Sequence, residues 1–364
     1  MKRILYVFDI MNRGGAETFT MNVFRNIDKN KFMFDFLCLN KNEGAYDDEI
    51  RKLGGKIIYV DGNANNKVFR IHQIIKTLRK YNYDTIHITV GFYSGIICYC
   101  AKRAGIKKII VHSHSAGDEN ANNFFRKIYH YIMRKFIIVF SNYKLSCGYS
   151  AGLFLFGKDT KFNIIYNSID LDVFKNNPSY SSEIKKKYKL NNCIVIGEIA
   201  RFSKVKNHMF FVNLAKYIKK QKINIKIMLV GDGPLKKYIM DEVNNNDLND
   251  IFVFTGNTNE VYKYLNAIDV LVMPSLFEGF PMTVVESLAC STPCLLSDNI
   301  SKEAAIIDDM ILFLKLEDSE KKWIDNIYKL YNKKKKNFDT HSILLKKGFN
   351  IKSSVEALEK IYSE

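Results

Sequence analysis

Two glutamates in one short stretch are the first candidates for chemistry, and they stand eight positions apart, at Glu278 and Glu286. The apolar run at 270–273 predicts a short buried strand, and a helix is expected to begin at Pro281, a residue favoured at the first helical position. Backbone N–H groups at such a helix start suit a phosphate, whereas carboxylates beside it suit hydroxyl groups. The stretch therefore predicts a ligand that carries both phosphates and sugar diols and that lies between the two acids.

Two cations follow another predicted strand, at 193–199. Arg201 and Lys206 lie on one loop, where a guanidinium fork and an ammonium point charge can together neutralise a diphosphate without a metal. Exposed Arg and Lys are more often solvated, which is the alternative interpretation. Asp170-Leu171-Asp172 is an Asp-x-Asp of the kind that holds a divalent ion on a diphosphate, but the cation pair makes that use unnecessary.

Histidines and glycines mark the ends of two further predicted strands. His112 and His114 follow the run 108–111, and a His-x-His directly after a buried strand directs at least one imidazole toward a ligand. No further Cys or His stands nearby, so a metal site is not expected. Gly14 and Gly15 follow the run 4–8, where glycine permits positive φ and a close backbone approach to a ligand.

The elements that position these residues alternate along the chain. Short β-branched runs alternate with helical patterns, which favours parallel, doubly wound sheets whose ligands lie at the carboxyl ends of the strands. The glycine turns at Gly231 and Gly256 repeat this strand-to-turn pattern. We expect an α/β protein with two Rossmann-like domains, at 1–172 and 173–345, and a final helix at 346–364.

Composition narrows the class of protein. With 364 residues, 47% of them hydrophobic, the chain can bury two cores, and a formal net charge of +17 suits a diphosphate, an acidic membrane or nucleic acid, although a lysine-rich composition bias would look the same. The seven cysteines lack paired spacing, so neither zinc nor disulfides are expected. No apolar run is long enough for a membrane span and no signal peptide is recognised, so we expect a cytoplasmic protein.

Residues 122–140 interleave basic and aromatic side chains in a helical pattern. Such a helix can lie on an acidic membrane surface, or it can pack its apolar stripe on the sheet as an ordinary domain helix. No zinc finger, helix-turn-helix or aromatic RNA-binding signature accompanies the charge, so a nucleic-acid partner is not expected.

These linked motifs resemble the retaining nucleotide-sugar glycosyltransferases of family 4 (glycosyltransferase group 1, capsule and exopolysaccharide type), which have the GT-B fold of two facing Rossmann-like domains. The resemblance covers nearly the whole chain, and it implies that the final helix at 346–364 crosses back to the first domain. It implies that Glu278 contacts the transferred sugar and Glu286 the ribose, and that Arg201 and Lys206 bind the diphosphate. It further implies donor contacts from Gly14, Gly15, Gly231, Gly256 and the loop Gly279, Phe280 and Pro281, and it aligns His114, or less readily His112, with a histidine near the reacting carbon.

The resemblance implies a retaining hexosyltransferase that moves a hexose or N-acetylhexosamine from a UDP-sugar to a lipid-linked saccharide acceptor, with no cofactor and no metal. His114, Glu278, Arg201 and Lys206 form the expected catalytic set, and family members with lipid-linked acceptors commonly dock on the membrane through a basic patch. GDP-mannose stays open as donor. There are two alternatives. One is a nucleotide-sugar epimerase or hydrolase of the same fold, and the other is a basic protein without catalytic activity that binds a membrane or nucleic acid. The sequence departs from the family pattern at two positions: Ala200 and Ser291 stand where the family usually has glycine.

Overall fold

The computed structural model describes residues 1–60, 67–117, 123–278, 280–334 and 338–364. The chain divides into two compact units. The first consists of Met1–Ile169 together with Gly348–Glu364, and the second of Asp170–Lys347. The C-terminal segment therefore folds with the N-terminal one. Across the described ranges, no helix combines the length and the apolar character that a membrane crossing requires.

The first unit is a seven-stranded parallel sheet with the strand order β3-β2-β1-β4-β5-β6-β7. Its strands are β1 (Lys2–Phe8), β2 (Phe32–Cys38), β3 (Ile57–Tyr59), β4 (Thr85–Ile88), β5 (Lys108–Ser113), β6 (Tyr143–Ser146) and β7 (Asn163–Ile164). Its helices are α1 (Gly15–Asn26), α2 (Asp47–Lys52), α3 (Lys67–Tyr81), α4 (Ser94–Ala104), α5 (Phe124–Phe140), α6 (Tyr149–Phe156) and the C-terminal α14 (Ile351–Ser363).

The C-terminal helix α14 fills one face of this sheet because its apolar side chains are buried beside those of β1, β2 and α1. Leu358 and Tyr362 are fully buried there, in one cluster with Tyr6 and Phe34. The backbone carbonyls in the last turn of α14 have no intrahelical partners. The ammonium groups of Lys2 and Lys108 donate hydrogen bonds to these carbonyls. The helix is thus an integral part of the first unit.

The second unit is a six-stranded parallel sheet with the strand order β10-β9-β8-β11-β12-β13. Its strands are β8 (Ile194–Ile199), β9 (Ile225–Val230), β10 (Phe252–Gly256), β11 (Val270–Met273), β12 (Cys294–Ser297) and β13 (Ile311–Leu314). Its helices are α7 (Pro178–Lys187), α8 (Met209–Lys220), α9 (Lys236–Asn245), α10 (Val261–Ala267), α11 (Met282–Ala289), α12 (Glu320–Lys334) and α13 (Thr340–Lys346), with 3₁₀ turns at Lys204–Lys206, Lys302–Ala304 and Asp308–Met310.

The prediction of two doubly wound parallel sheets is confirmed. One local prediction is wrong by a residue: α11 begins at Met282, and Pro281 precedes it as the N-cap with φ −77° and ψ 116°. A proline has no backbone N–H to contribute and its extended ψ ends the preceding loop, so it serves here as the residue before the helix. The consequence for the site is small, because the N–H groups of the first turn still begin at this loop.

Candidate functional site

The topology of the second unit marks where a ligand is expected. From β8 the chain proceeds through β9 and β10 to one side, and from β11 through β12 and β13 to the other. The neighbours β8 and β11 therefore flank the point where strand order reverses, and open α/β sheets bind ligands outside the carboxyl ends of strands at that point. The loop after β8 carries Arg201 and Lys206, and the loop and helix after β11 carry Glu278 and Glu286.

The structure brings two of these predicted residues into contact. Lys206 Nζ lies 2.5 Å from Glu278 Oε1, and both side chains are about one-fifth exposed. Two hydrogen bonds hold the two loops together. The Leu276 backbone N–H donates to the Val205 carbonyl at 2.8 Å, and the Asn207 side-chain amide donates to the Pro274 carbonyl at 3.1 Å. These hydrogen bonds hold the two loops, and with them Lys206 and Glu278, beside each other. Within the described parts of the chain, Glu278 Oε2 has no partner and can accept from a hydroxyl group.

Arg201 is exposed at the carboxyl end of β8. Its guanidinium makes no hydrogen bond or ion pair with any residue that the structure describes. Five N–H donors therefore remain available on the loop that also holds Lys206. An anion at this edge would meet a free guanidinium beside an ammonium that is shared with one carboxylate.

Glu286 stands one turn into α11 and is half-buried, with no partner for its carboxylate among the described residues. Burial raises its pKa to about 7. Burying a carboxylate without a cation costs free energy, and such groups are more often found where a ligand uses them. The Glu286 carboxylate is therefore available to accept hydrogen bonds from a diol.

The glycine turn after β9 has a structural role that the sequence interpretation did not foresee. A Cβ on Gly231, which has φ +141°, would lie 2.0 Å from the Ala200 carbonyl oxygen, and Gly231 N–H donates to the Gly256 carbonyl at 3.0 Å. Gly256 has φ +76°, in the left-handed region that favours glycine. Both glycines therefore let three strand-end loops pack together, and Ala200 lies at that packing contact.

The remaining predicted loop residues divide as follows. Phe280 is half-buried and Pro281 is buried, while Gly279 lies outside the described residues. Ser291, where the family has glycine, has φ +57°, and its hydroxyl lies 3.2 Å from the Thr340 hydroxyl. Glycine adopts this left-handed backbone conformation without strain, whereas serine adopts it here at a cost in free energy.

Sequence interpretation missed two buried residues of this unit. Glu198 on β8 is fully buried, and its Oε2 lies 3.4 Å from Nε2 of His208, which stacks on Phe202 with ring centroids 4.0 Å apart. Burial raises the pKa of Glu198 well above its ordinary value, Lys206 opposes this and Glu278 adds to it, while burial lowers the pKa of His208 to about 4. Both shifts favour the neutral forms of the two side chains over an ion pair. An acid within the apolar run 193–199 was the signal that could have revealed this pair.

In the first unit, the structure distinguishes between the two histidines. His112 is buried and its Nδ1 lies 3.2 Å from Nε2 of His87. His114 is half-buried, and its Nδ1 lies 3.0 Å from Asn167 Oδ1. His114 is thus the more open of the pair, which favours it as the ligand-facing histidine.

Gly14 and Gly15 lie at the start of α1. Gly14 is its N-cap with φ −99°, and neither glycine uses the positive φ that this residue type permits. A Cβ on Gly15 would meet nothing within 4 Å, whereas one on Gly14 would contact the Glu17 carboxylate. Gly15 therefore opens α1 beside free space and leaves its first turn accessible.

The Asp-x-Asp segment forms a turn. Asp170 Oδ1 accepts from the Asp172 backbone N–H at 2.9 Å, which is an Asx-turn, and Leu171 is buried. Among the residues that the structure describes, no group of three or more His, Cys, Asp or Glu side chains is placed to hold a metal ion.

The two parallel, doubly wound sheets have the architecture of GT-B glycosyltransferases. The model of glycosyl transferases group 1 matches residues 181–341, and that of glycosyltransferase family 4 matches residues 13–147. Since a putative glycosyltransferase is also 32% identical over the whole chain, the chain belongs to the group 1 and family 4 glycosyltransferases.

Curated relatives extend over the whole chain. The putative glycosyltransferase EpsF of Bacillus subtilis (strain 168) is 32% identical over 100% of this chain and 96% of its own length. The capsular polysaccharide biosynthesis glycosyltransferase CapH of Staphylococcus aureus is 28% identical, covering 100% and 99%. The UDP-Gal:alpha-D-GlcNAc-diphosphoundecaprenol alpha-1,3-galactosyltransferase of Escherichia coli is 24% identical, covering 96% and 93%. Anabaena HepE, solved in complex with UDP, superimposes with a TM-score of 0.78 at 14% identity, covering 100% of both chains.

Proposed function

We propose that this enzyme transfers a hexose or N-acetylhexosamine, with retention of anomeric configuration, from a UDP-sugar to a lipid-linked saccharide during the synthesis of a surface polysaccharide or glycan. The names of the capsular enzyme CapH and of the E. coli galactosyltransferase support the pathway, the UDP-sugar and the lipid-linked acceptor. HepE in complex with UDP supports the nucleotide.

One observation carries the proposal. Two cations lie on the loop after β8, and two carboxylates lie on the loop and helix after β11, where the strand order of the second unit reverses, with Lys206 and Glu278 in contact at 2.5 Å. A nucleoside diphosphate sugar combines an anion for the cations with two sets of hydroxyls for the acids. No single simple anion or neutral sugar would use both pairs.

The roles follow from charge. Arg201 and Lys206 stabilise the diphosphate as the glycosidic bond breaks, because negative charge then grows on the leaving phosphate. Glu278 keeps one oxygen on Lys206 and offers Oε2 to the transferred sugar, while Glu286 accepts from the ribose diol. Because Lys206 is shared, Glu278 also fixes the position of the ammonium before the donor arrives.

For the retaining outcome we propose front-face attack by the acceptor, assisted by the leaving phosphate. A double displacement would instead need a positioned carboxylate nucleophile. The resemblance assigns His114, and no acid, to the position near the reacting carbon. The acceptor hydroxyl can pass its proton to a departing phosphate oxygen on the same face of the sugar, so that no protein nucleophile is required.

The helix α5 supports an acceptor at a membrane. One exposed face of α5 carries apolar side chains at helical spacing, with Lys135 among them. These are Phe124, Phe125, Ile128, Tyr131, Ile132 and Val139. The opposite face carries the buried His130, Met133 and Ile137. An apolar stripe flanked by cations is typical of helices that lie in the headgroup region of an acidic bilayer, and we propose that α5 docks there.

The test is a transfer assay with purified protein, a panel of UDP- and GDP-sugars and an undecaprenyl-diphosphate-linked saccharide. We expect turnover with a UDP-hexose or UDP-N-acetylhexosamine and an α-linked product from the α-linked donor, read from the anomeric proton coupling by NMR. Lys206→Ala should lower turnover by about 10²- to 10³-fold. Lys204→Ala removes an exposed lysine from the same 3₁₀ turn and is the matched control, with turnover retained.

Conversion of the donor without acceptor, to an epimer or to free sugar at the same rate as with acceptor, would replace the proposed reaction by epimerisation or hydrolysis. Turnover of Lys206→Ala equal to that of Lys204→Ala would remove Lys206 from the mechanism.

A further inference from the structure

A chain of buried side chains in the first unit leads from α14 to the end of β5. The Tyr6 and Tyr362 hydroxyls lie 2.5 Å apart, the Tyr362 hydroxyl lies 2.8 Å from His87 Nδ1, and His87 Nε2 lies 3.2 Å from His112 Nδ1. Each of these rings is thereby fixed by a neighbour. The His112 ring in turn packs against the His114 ring, with centroids 4.1 Å apart.

His114 has a different kind of partner. Its Nδ1 lies 3.0 Å from Asn167 Oδ1, and its Nε2 is buried without a partner among the described residues. An amide oxygen only accepts hydrogen bonds, so the proton of a neutral His114 is on Nδ1 and the lone pair on Nε2. The opposite tautomer would leave a buried N–H donor unpaired, which is the rarer and more costly arrangement.

Asn167 is itself held in place from both sides. Just before it, the Ile165 N–H donates to the Ser146 carbonyl at 2.9 Å, and just after it, Ser168 and Ser354 share a hydrogen bond of 2.7 Å. Ile169 forms a bridge with Asn350 at the start of α14. The Asn167 side chain is 4% exposed, so neither its backbone nor its amide is free to turn away.

We propose that Asn167 is a positioning residue that holds His114 as the Nδ1–H tautomer, so that Nε2 accepts a hydrogen bond from a hydroxyl of the transferred sugar. The role of Nε2 toward the sugar rests on the proposed function, whereas the tautomer does not. An amide suits this task better than a carboxylate, because a carboxylate at the same place would stabilise the imidazolium, and an imidazolium cannot accept a hydrogen bond.

The surroundings of His114 favour the neutral ring. Burial lowers its pKa to about 4, and the Asn167 amide opposes this. The titratable groups that face it are His112 near the end of β5 and His87 on β4, with Tyr362 and Tyr6 beyond them. Phe19 of α1 packs on the ring with centroids 5.9 Å apart and adds no charge. No carboxylate is among these neighbours in the described part of the chain, so the effect of burial outweighs that of the amide and the ring is neutral at neutral pH.

The tautomer is measured directly on the whole protein by ¹⁵N NMR of ring-labelled histidine. The chain has 7 histidines, and the His114 signals are assigned by their loss in His114→Gln. At pH 7 we expect a protonated Nδ1 and an unprotonated Nε2. Asn167→Leu should abolish that pattern, and Asn163→Leu, which alters an exposed asparagine of β7, should keep it. An Nε2–H ring in the wild-type protein overturns the inference.

Asn167→Asp retains volume and acceptor, so it tests the charge. It should keep the Nδ1–H tautomer and raise the pKa of His114 by at least one unit, shifting the acidic limb of kcat/KM to higher pH. Asn167→Leu should lower kcat/KM at least tenfold, mainly through KM. A retained Nδ1–H tautomer in Asn167→Leu, or an unshifted His114 titration in Asn167→Asp, contradicts the role of Asn167. If the tautomers are as predicted but no sugar is transferred, the proposed function is refuted and the role of Asn167 in setting the tautomer is retained.

Discussion

The substitution Glu286→Gln is expected to stabilise the second unit while weakening donor binding. Burial raises the pKa of Glu286 from 4.5 to about 7. Both the folded and the unfolded chain hold the proton well below pH 4.5, so the carboxyl then has no effect on stability. As the pH rises, the unfolded chain ionises first, and the cost to the folded state grows until it is complete above pH 7. A difference of about 2.5 pKa units at 1.36 kcal/mol each gives about 3 kcal/mol.

Glutamine removes this cost because it cannot ionise. At pH 8 we expect Glu286→Gln to raise the free energy of unfolding by about 3 kcal/mol, falling to less than about 1 kcal/mol at pH 5. The assay is urea denaturation followed by fluorescence, since the single tryptophan, Trp323, is fully buried in the core of the second unit and reports on that unit alone.

Glu317→Gln supplies the control, because Glu317 is an exposed acid of the same unit. Its free energy of unfolding should match that of the wild type at both pH values. The same Glu286→Gln protein should bind UDP more weakly above pH 7, and wild-type affinity should fall as the pH drops below 7. A stability gain that is equal at pH 5 and pH 8 would refute the burial argument.

Three further predictions follow from the same structure. Activity should persist in EDTA, because Arg201 and Lys206 supply the positive charge, and strict dependence on manganese would contradict this. Phe125→Asp, which places a charge at a position 78% exposed on α5, should reduce sedimentation with phosphatidylglycerol vesicles, whereas Tyr238→Asp on α9 of the second unit should not, and equal binding of both would exclude α5. Glu198→Gln should change the free energy of unfolding by less than about 1 kcal/mol at pH 7, because a protonated acid is replaced by a neutral amide, and a loss above about 3 kcal/mol would show an ionised pair instead.

The fold could be predicted from sequence because each buried parallel strand is a short apolar run that a helix follows. The runs at Ile4 to Phe8 and Val270 to Met273 are of this kind. β6 and β7 were not foreseen, since Tyr143–Ser146 mixes polar and apolar residues and Asn163–Ile164 is exposed. Such strands form because neighbouring strands in the sheet pair with them, and their own sequences show no strand-like hydrophobic pattern.

The site was predictable only where a residue type carries its own chemistry. Lys206 and Glu278 were recognised as a cation and an acid near one ligand, and their contact required the loops after β8 and β11 to be neighbours. The packing role of Gly231 against Ala200 is a contact between backbones, which side-chain identity does not encode. The pair of Glu198 and His208 likewise depends on tertiary structure. The functional roles of the candidate site residues stay predictions.

The central claim is that the second unit binds a nucleoside diphosphate through Arg201 and Lys206, and calorimetric titration with UDP in EDTA tests it most directly. A hydrogen bond to a charged group contributes about 1.5 to 3 kcal/mol, so Arg201→Ala and Lys206→Ala should each raise Kd by about 10- to 100-fold while Lys204→Ala leaves it unchanged. Equal affinity of all four proteins for UDP would contradict the account.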